Sequence, residues 1–218
     1  IFSSYASIQR QEIDWLWRDR FAIGKLTLII GDPGLGKSLI TTGTIATNVS
    51  RGEPWPVDKT PAPLGDAILL SAEDDAADTI KPRLEAAGAD CSRVHTLQAI
   101  REVNSGGPPT ERMFSLKRDI TALEEMLATL PECKVVIVDP ISAYLDDTDS
   151  HKNAAVRGLL APLAALASKR RVAIIAVDHL NKNSKERNSL YRAGGSLGFV
   201  AAARAVYVVT KDKDKPER

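Results

Sequence analysis

Six short runs of aliphatic and β-branched residues punctuate the chain: KLTLIIG (25–31), GDAILLS (65–71), RVHTLQAI (93–100), KVVIVD (134–139), RVAIIAVDH (171–179) and AVYVVT (205–210). Their apolar stretches are continuous, which marks strands covered on both faces. Between them the apolar spacing turns helical. Helices are predicted from Lys37 to about Val49, through AADTIKPRLEAAGA (76–89), through SLKRDITALEEMLATL (115–130), and in the Ala/Leu-rich segment between the fourth and fifth runs. Strands alternating with helices predict an α/β fold with a mostly parallel sheet flanked by helices on both faces. The Pro-rich segment GEPWPVDKTPAPLG (52–65) is expected to be a surface loop.

Composition narrows the class without naming it. The 218 residues are 26% charged and 44% hydrophobic, which suits one globular domain spanning 1–218. A net charge of +1 means that any affinity for nucleic acid must come from local patches. Cys91 and Cys133 form no CxxC pair and suggest no disulfide framework, so a reducing, cytoplasmic setting is expected. No apolar run approaches membrane-spanning length, and no membrane partner is expected. Ile1 is not an initiator, and KDKDKPER closely follows the last strand; the domain is expected to be an excerpt of a longer chain.

The chemistry starts at GDPGLGKS (31–38), which fits the phosphate-loop pattern G-x-x-x-x-G-K-[ST] between a strand and a helix. Gly31, Asp32, Pro33, Gly34, Leu35, Gly36, Lys37, Ser38 and Leu39 form the candidate nucleotide cradle. In such a loop backbone N–H groups face the phosphates, the lysine (Lys37) reaches the β- and γ-phosphates, and the hydroxyl (Ser38) ligates Mg²⁺. The strand VVIVDP (135–140) ends in Asp139, a carboxylate suited to hold the same ion. ATP and Mg²⁺ are the implied substrate and cofactor.

The position after Asp139 is Pro140, which can do no acid–base work. The base is therefore sought in LLSAEDD (69–75), where a strand runs directly into three carboxylates. Strand ends carry the site in a parallel sheet, so Glu73 is the candidate general base. Asp74 and Asp75 read as charges at a helix N-terminus. The alternative is that all three only cap that helix.

LTLIIGDPGLGKS, LLSAED, VVIVDP, AVDHLNK and GGSLGFVAAARAVYVV, in that order, resemble the RecA-like ATPases of the plasmid RepA-type hexameric helicase group. The resemblance covers roughly 13–211. It implies a RecA-like fold with strand 171–178 between the phosphate-loop strand and the Asp139 strand, and it would set Asp178 and His179 opposite the γ-phosphate. It implies Glu73 as catalytic base, His179 as γ-phosphate sensor, and Arg204 as an arginine finger acting on a neighbouring subunit of a hexameric ring. Trp15 and Trp17 are similar to the family's lead-in and are expected to pack.

Family rings thread single-stranded DNA along two loops. Here the first, SAYLDDTDSHKN (142–153), is acidic and departs from that expectation. The second, NKNSKERNSLYRAGG (181–195), carries Lys182, Lys185, Arg187 and Arg192 with Tyr191, a composition suited to tracking a strand or to a solvated loop. Lys211 and Lys213 could approach a neighbour's nucleotide or be solvated. The reading that follows is an ATP-hydrolysing motor on DNA, a replicative helicase or the helicase part of a primase–helicase. The alternatives are a nucleotide switch or loader without translocation and, less suited for want of an Arg-rich lid, a small-molecule kinase.

Overall fold

A computed structural model describes residues 2–103, 108–150, 152–180, 197–212 and 214. In chain order the strands are β1 (Trp15–Trp17), β2 (Phe21–Ala22), β3 (Leu26–Gly31), β4 (Asp66–Ser71), β5 (Val94–Thr96), β6 (Ile100–Glu102), β7 (Thr110–Arg112), β8 (Cys133–Asp139), β9 (Ala173–His179) and β10 (Ala205–Val209). Helix α1 runs through Leu39–Ala46 and Thr47–Arg51, and α2 through Ala76–Ile80 and Lys81–Ala87. They are followed by α3 (Ile120–Thr129), α4 (Asn153–Arg170) and α5 (Leu197–Ala202).

Six strands form one sheet in the order β10-β3-β9-β8-β4-β5, every pairing parallel. Strand β9 thus lies between the phosphate-loop strand β3 and β8, as the resemblance implies. Alternate residues of each strand enter different cores. Leu28, Ile30, Ile68, Leu70, Val136, Val138, Ile174 and Ala176 pack with α3, α4 and Phe199. Ile29, Ala67, Leu69, Val135, Ile137, Ala173 and Ile175 pack with α1, α2 and the β1–β2 hairpin. Two-sided burial explains why the strands read as unbroken apolar runs. Among the described residues no helix is long and apolar enough to cross a membrane.

Three expectations need correction. The strand expected over 93–100 is only Val94–Thr96, and Ile100–Glu102 pairs antiparallel with Thr110–Arg112 in a separate hairpin. Segment 52–65 is not wholly superficial: Trp55 is 1% exposed and stacks on Trp17 with ring centroids 4.5 Å apart. Arg20 covers the Trp17 ring, and the indole N–H of Trp17 donates to Asp58 at 2.8 Å, so an aromatic anchor holds the loop down.

Third, the helix expected from Ser115 begins only at Ile120. Residues before it are committed to a side-chain network. Arg112 donates two hydrogen bonds to Asp119, at 2.6 and 2.8 Å, and the Ser115 amide donates to the same carboxylate at 2.8 Å. Arg112 also meets Glu102, tying the β6–β7 hairpin to α3. The Arg112 guanidinium, helped by the Ser115 amide and opposed by burial, holds the Asp119 carboxyl below the usual carboxylate range. Its stabilisation is therefore complete above that range and is lost as pH falls through the depressed value. Asp119→Asn should lower stability at pH 7 by roughly 1.5–3 kcal/mol, the scale of hydrogen bonds to charged groups. In urea titrations the deficit should shrink in strong acid; equal midpoints at pH 7 would show the network to be inert.

Candidate active site

The chain leaves β3 at Gly31 and enters α1 at Leu39. Gly34 and Gly36 have φ of 77° and 81°, a left-handed conformation that side-chain-bearing residues rarely adopt. The turn brings Lys37 back over the strand end. Its ammonium, 5% exposed as a residue, donates to the carbonyls of Gly31 and Asp32, both at 2.9 Å. Burial pushes its pKa down, against the carboxylates of Asp139, Glu73, Asp178 and Asp32, in that order. A partly desolvated cation among acids is suited to meeting a polyphosphate.

Sheet register delivers the remaining groups. Gly31 lies beside His179 across the β3–β9 pair, and Ser71 beside Asp139 across the β4–β8 pair. Glu73 follows two residues after β4 ends. His179 bridges the row: its Nδ1 is 3.3 Å from Lys37 Nζ and its Nε2 is 3.4 Å from Glu73 Oε2. Because an ammonium can only donate, Nδ1 accepts from Lys37, and Nε2–H then donates to Glu73. Three strand ends thus set Lys37, His179 and Glu73 in one continuous row.

Beside them, the Ser38 side chain lies next to the Asp139 carboxylate. Burial raises the Asp139 pKa, and the nearby Glu73 charge raises it further, against Ser38, His179 and Lys37. A buried carboxylate whose ionisation is hindered, beside a hydroxyl and a second carboxylate, makes a donor set suited to Mg²⁺. That ion takes one or two protein oxygens and completes its shell with water and phosphate. Ser38 and Asp139 are the residues that would hold it.

The other acids of the 69–75 stretch have separate duties. Asp75 accepts from the amides of Ala77 and Asp78 at 2.7 and 3.0 Å, capping α2, and these bonds lower its pKa. Asp74 pairs with Arg83. Glu73 alone of the three contacts His179.

Four further expectations fall elsewhere. Asp178 does not share the position of His179: it is 2% exposed and bonds Ser142, on the face of the sheet where Ile174 and Ala176 point. Arg204 is exposed at the start of β10, its amide donating to the Leu26 carbonyl at 2.7 Å. That is the end of the sheet opposite the phosphate loop, where Arg204 lines a cleft with Lys25 and Tyr207. Lys211 lines a different cleft, against Asp32, Pro33 and Leu35 of the phosphate loop. Lys182, Lys185, Arg187, Tyr191, Arg192 and Lys213 lie outside the described residues.

Residues 2–185 match the family model described as an AAA domain. No curated protein matches the chain.

Proposed function

Because the chain belongs to the AAA domain family and is a P-loop ATPase of RecA-like α/β fold, we propose that it is an ATP-driven motor on single-stranded DNA of the RepA-type helicase group. The observation that carries the catalytic part is the Lys37–His179–Glu73 row, which joins the phosphate loop to a carboxylate and an imidazole on neighbouring strand ends. In this reading Glu73 takes a proton from water as its oxygen bonds to the γ-phosphorus. The bond from that phosphorus to the bridging oxygen breaks, and ADP departs with the electron pair. Lys37 donates to the γ-phosphoryl oxygens as charge shifts among them, and His179 exchanges its Nε2–H bond to Glu73 for one to the same group. Ser38 and Asp139 would hold Mg²⁺, which would supply charge neutralisation to the phosphates. Arg204 serves the nucleotide of the adjacent copy in a hexameric ring.

The DNA part rests on sequence: the basic 181–195 segment with its tyrosine. Replacing Lys185 and Arg187 by Ala should weaken single-strand binding and reduce the salt slope by roughly 0.7 for each phosphate no longer neutralised. The check is a titration of labelled oligonucleotide at several salt concentrations. An unchanged slope would remove this segment from the DNA path.

One observation favours the second reading, a nucleotide-dependent switch or loader. Asp146, Asp147 and Asp149 are exposed in the turn after β8 and pair with Arg118, Lys117 and Lys152, so this turn offers a phosphate backbone no excess of positive charge. Stimulation of ATP hydrolysis by single-stranded DNA separates the two: a motor is stimulated, and a switch is not.

A further inference from the structure

We propose that Asp178 is a positioning residue of this ATPase site, fastening the turn that follows Asp139 to the backbone of His179. In β9, Ile174 and Ala176 point into the core shared with α3 and α4. The next position on that face is Asp178, where the pattern calls for another apolar side chain. A carboxylate buried there is costly unless its oxygens are bonded. Its Oδ1 accepts from Ser142 Oγ at 2.8 Å and from the His179 amide at 2.9 Å. Its Oδ2 is buried with no hydrogen-bond partner among the described residues. An apolar residue would serve packing better, so what the carboxylate supplies is the pair of bonds on one oxygen.

Those bonds join the two sides of the sheet. Ser142 lies in the Ile141–Tyr144 turn, three residues beyond Asp139, and Ile141 and Tyr144 are buried in the α3–α4 core. The His179 side chain emerges on the other side, beside Lys37 and Glu73. Asp178 therefore fixes where the sensor strand ends relative to the segment carrying the Mg²⁺ ligand. Through the same oxygen, a shift of His179 toward a γ-phosphate pulls on the turn leading to Asp146, Asp147 and Asp149. An event at the nucleotide is thereby linked to a surface on the opposite face.

This inference rests on the roles given above to His179 and Asp139. Ser142→Ala is the main test, because Ser142 is exposed and its replacement removes no apolar side chain from the core. It should lower kcat about 10-fold or more with KM almost unchanged, since the geometry of attack is disturbed and the phosphate cradle is not. Hydrogen exchange should show nucleotide-dependent protection of 141–149 in wild type with Mg²⁺ and a non-hydrolysable ATP analogue, and none in Ser142→Ala. Ser142→Thr, which keeps the hydroxyl, should restore both. Asp178→Leu, which removes the accepting oxygen at a position whose face is otherwise apolar, should have a similar effect, and the double variant should be no worse than the single ones. Wild-type kcat and protection in Ser142→Ala, or a lowered melting temperature without change in either, would overturn the proposal. Full activity in His179→Ala would instead remove the sensor role beneath it.

Discussion

Glu73→Gln protein should bind ATP as wild type does and hydrolyse it about 10²–10⁴-fold more slowly, the usual cost of removing a general base. The amide keeps the shape of the side chain and can still accept from His179 Nε2, so the row of side chains survives. Only the capacity to take a proton is gone. Lys37→Ala should fail differently. In the proposed role its ammonium reaches the phosphates, and without it nucleotide affinity should collapse along with turnover. Equilibrium binding of a fluorescent ATP analogue, measured beside steady-state hydrolysis, distinguishes a site that holds ATP unhydrolysed from one that cannot hold it. Near-normal turnover by Glu73→Gln would return the 69–75 stretch to helix capping and leave the base unassigned.

Subunits with Arg204→Ala should be inactive alone, by about 10³-fold or more if the arginine acts as fingers do in related phosphoryl transfer. Mixing them with Lys37→Ala subunits should recover activity. An Arg204→Ala subunit keeps an intact phosphate loop, and a Lys37→Ala neighbour keeps an intact arginine. Where they meet in the right order, one complete site is rebuilt. Doping wild type with either variant establishes that subunits exchange and that dead neighbours are tolerated. With exchange shown, a mixture as inactive as its components would exclude a finger acting between subunits.

Local chemistry was legible in the sequence, whereas geometry across the sheet was not. The phosphate loop could be read because all its parts lie within nine residues, and the strands because burial on both faces leaves an unbroken apolar signature. Lys37 and His179 are 142 positions apart and His179 and Glu73 are 106 apart, so their meeting depends on strand order. Hydropathy carries no such information; here it came with the family resemblance. The strand near residue 94 was overestimated because an edge strand of three residues is backed by few apolar positions. The start of α3 was misplaced because Arg112 recruits Asp119 and Ser115 from another element, which helical spacing cannot show. In AVDH, the sequence marked a polar strand end but not that its two polar side chains leave opposite faces.

The parallel sheet also gives the molecule a direction. All six strands point one way, so the phosphate loop and Arg204 stand at opposite ends of β3, roughly 17 Å apart at about 3.3 Å per residue. That span exceeds the length of an arginine side chain, so no copy can serve its own nucleotide with Arg204. Two kinds of assembly can bring the unlike ends together. An antiparallel pair about a two-fold axis lets each copy complete the other and then stops growing. A head-to-tail row repeats one contact from copy to copy, and it either curves until the last copy meets the first or continues as a helical filament. Under the proposed role of Arg204, closure then decides the kinetics: an open row always keeps one phosphate loop unserved, and a closed pair or ring keeps none.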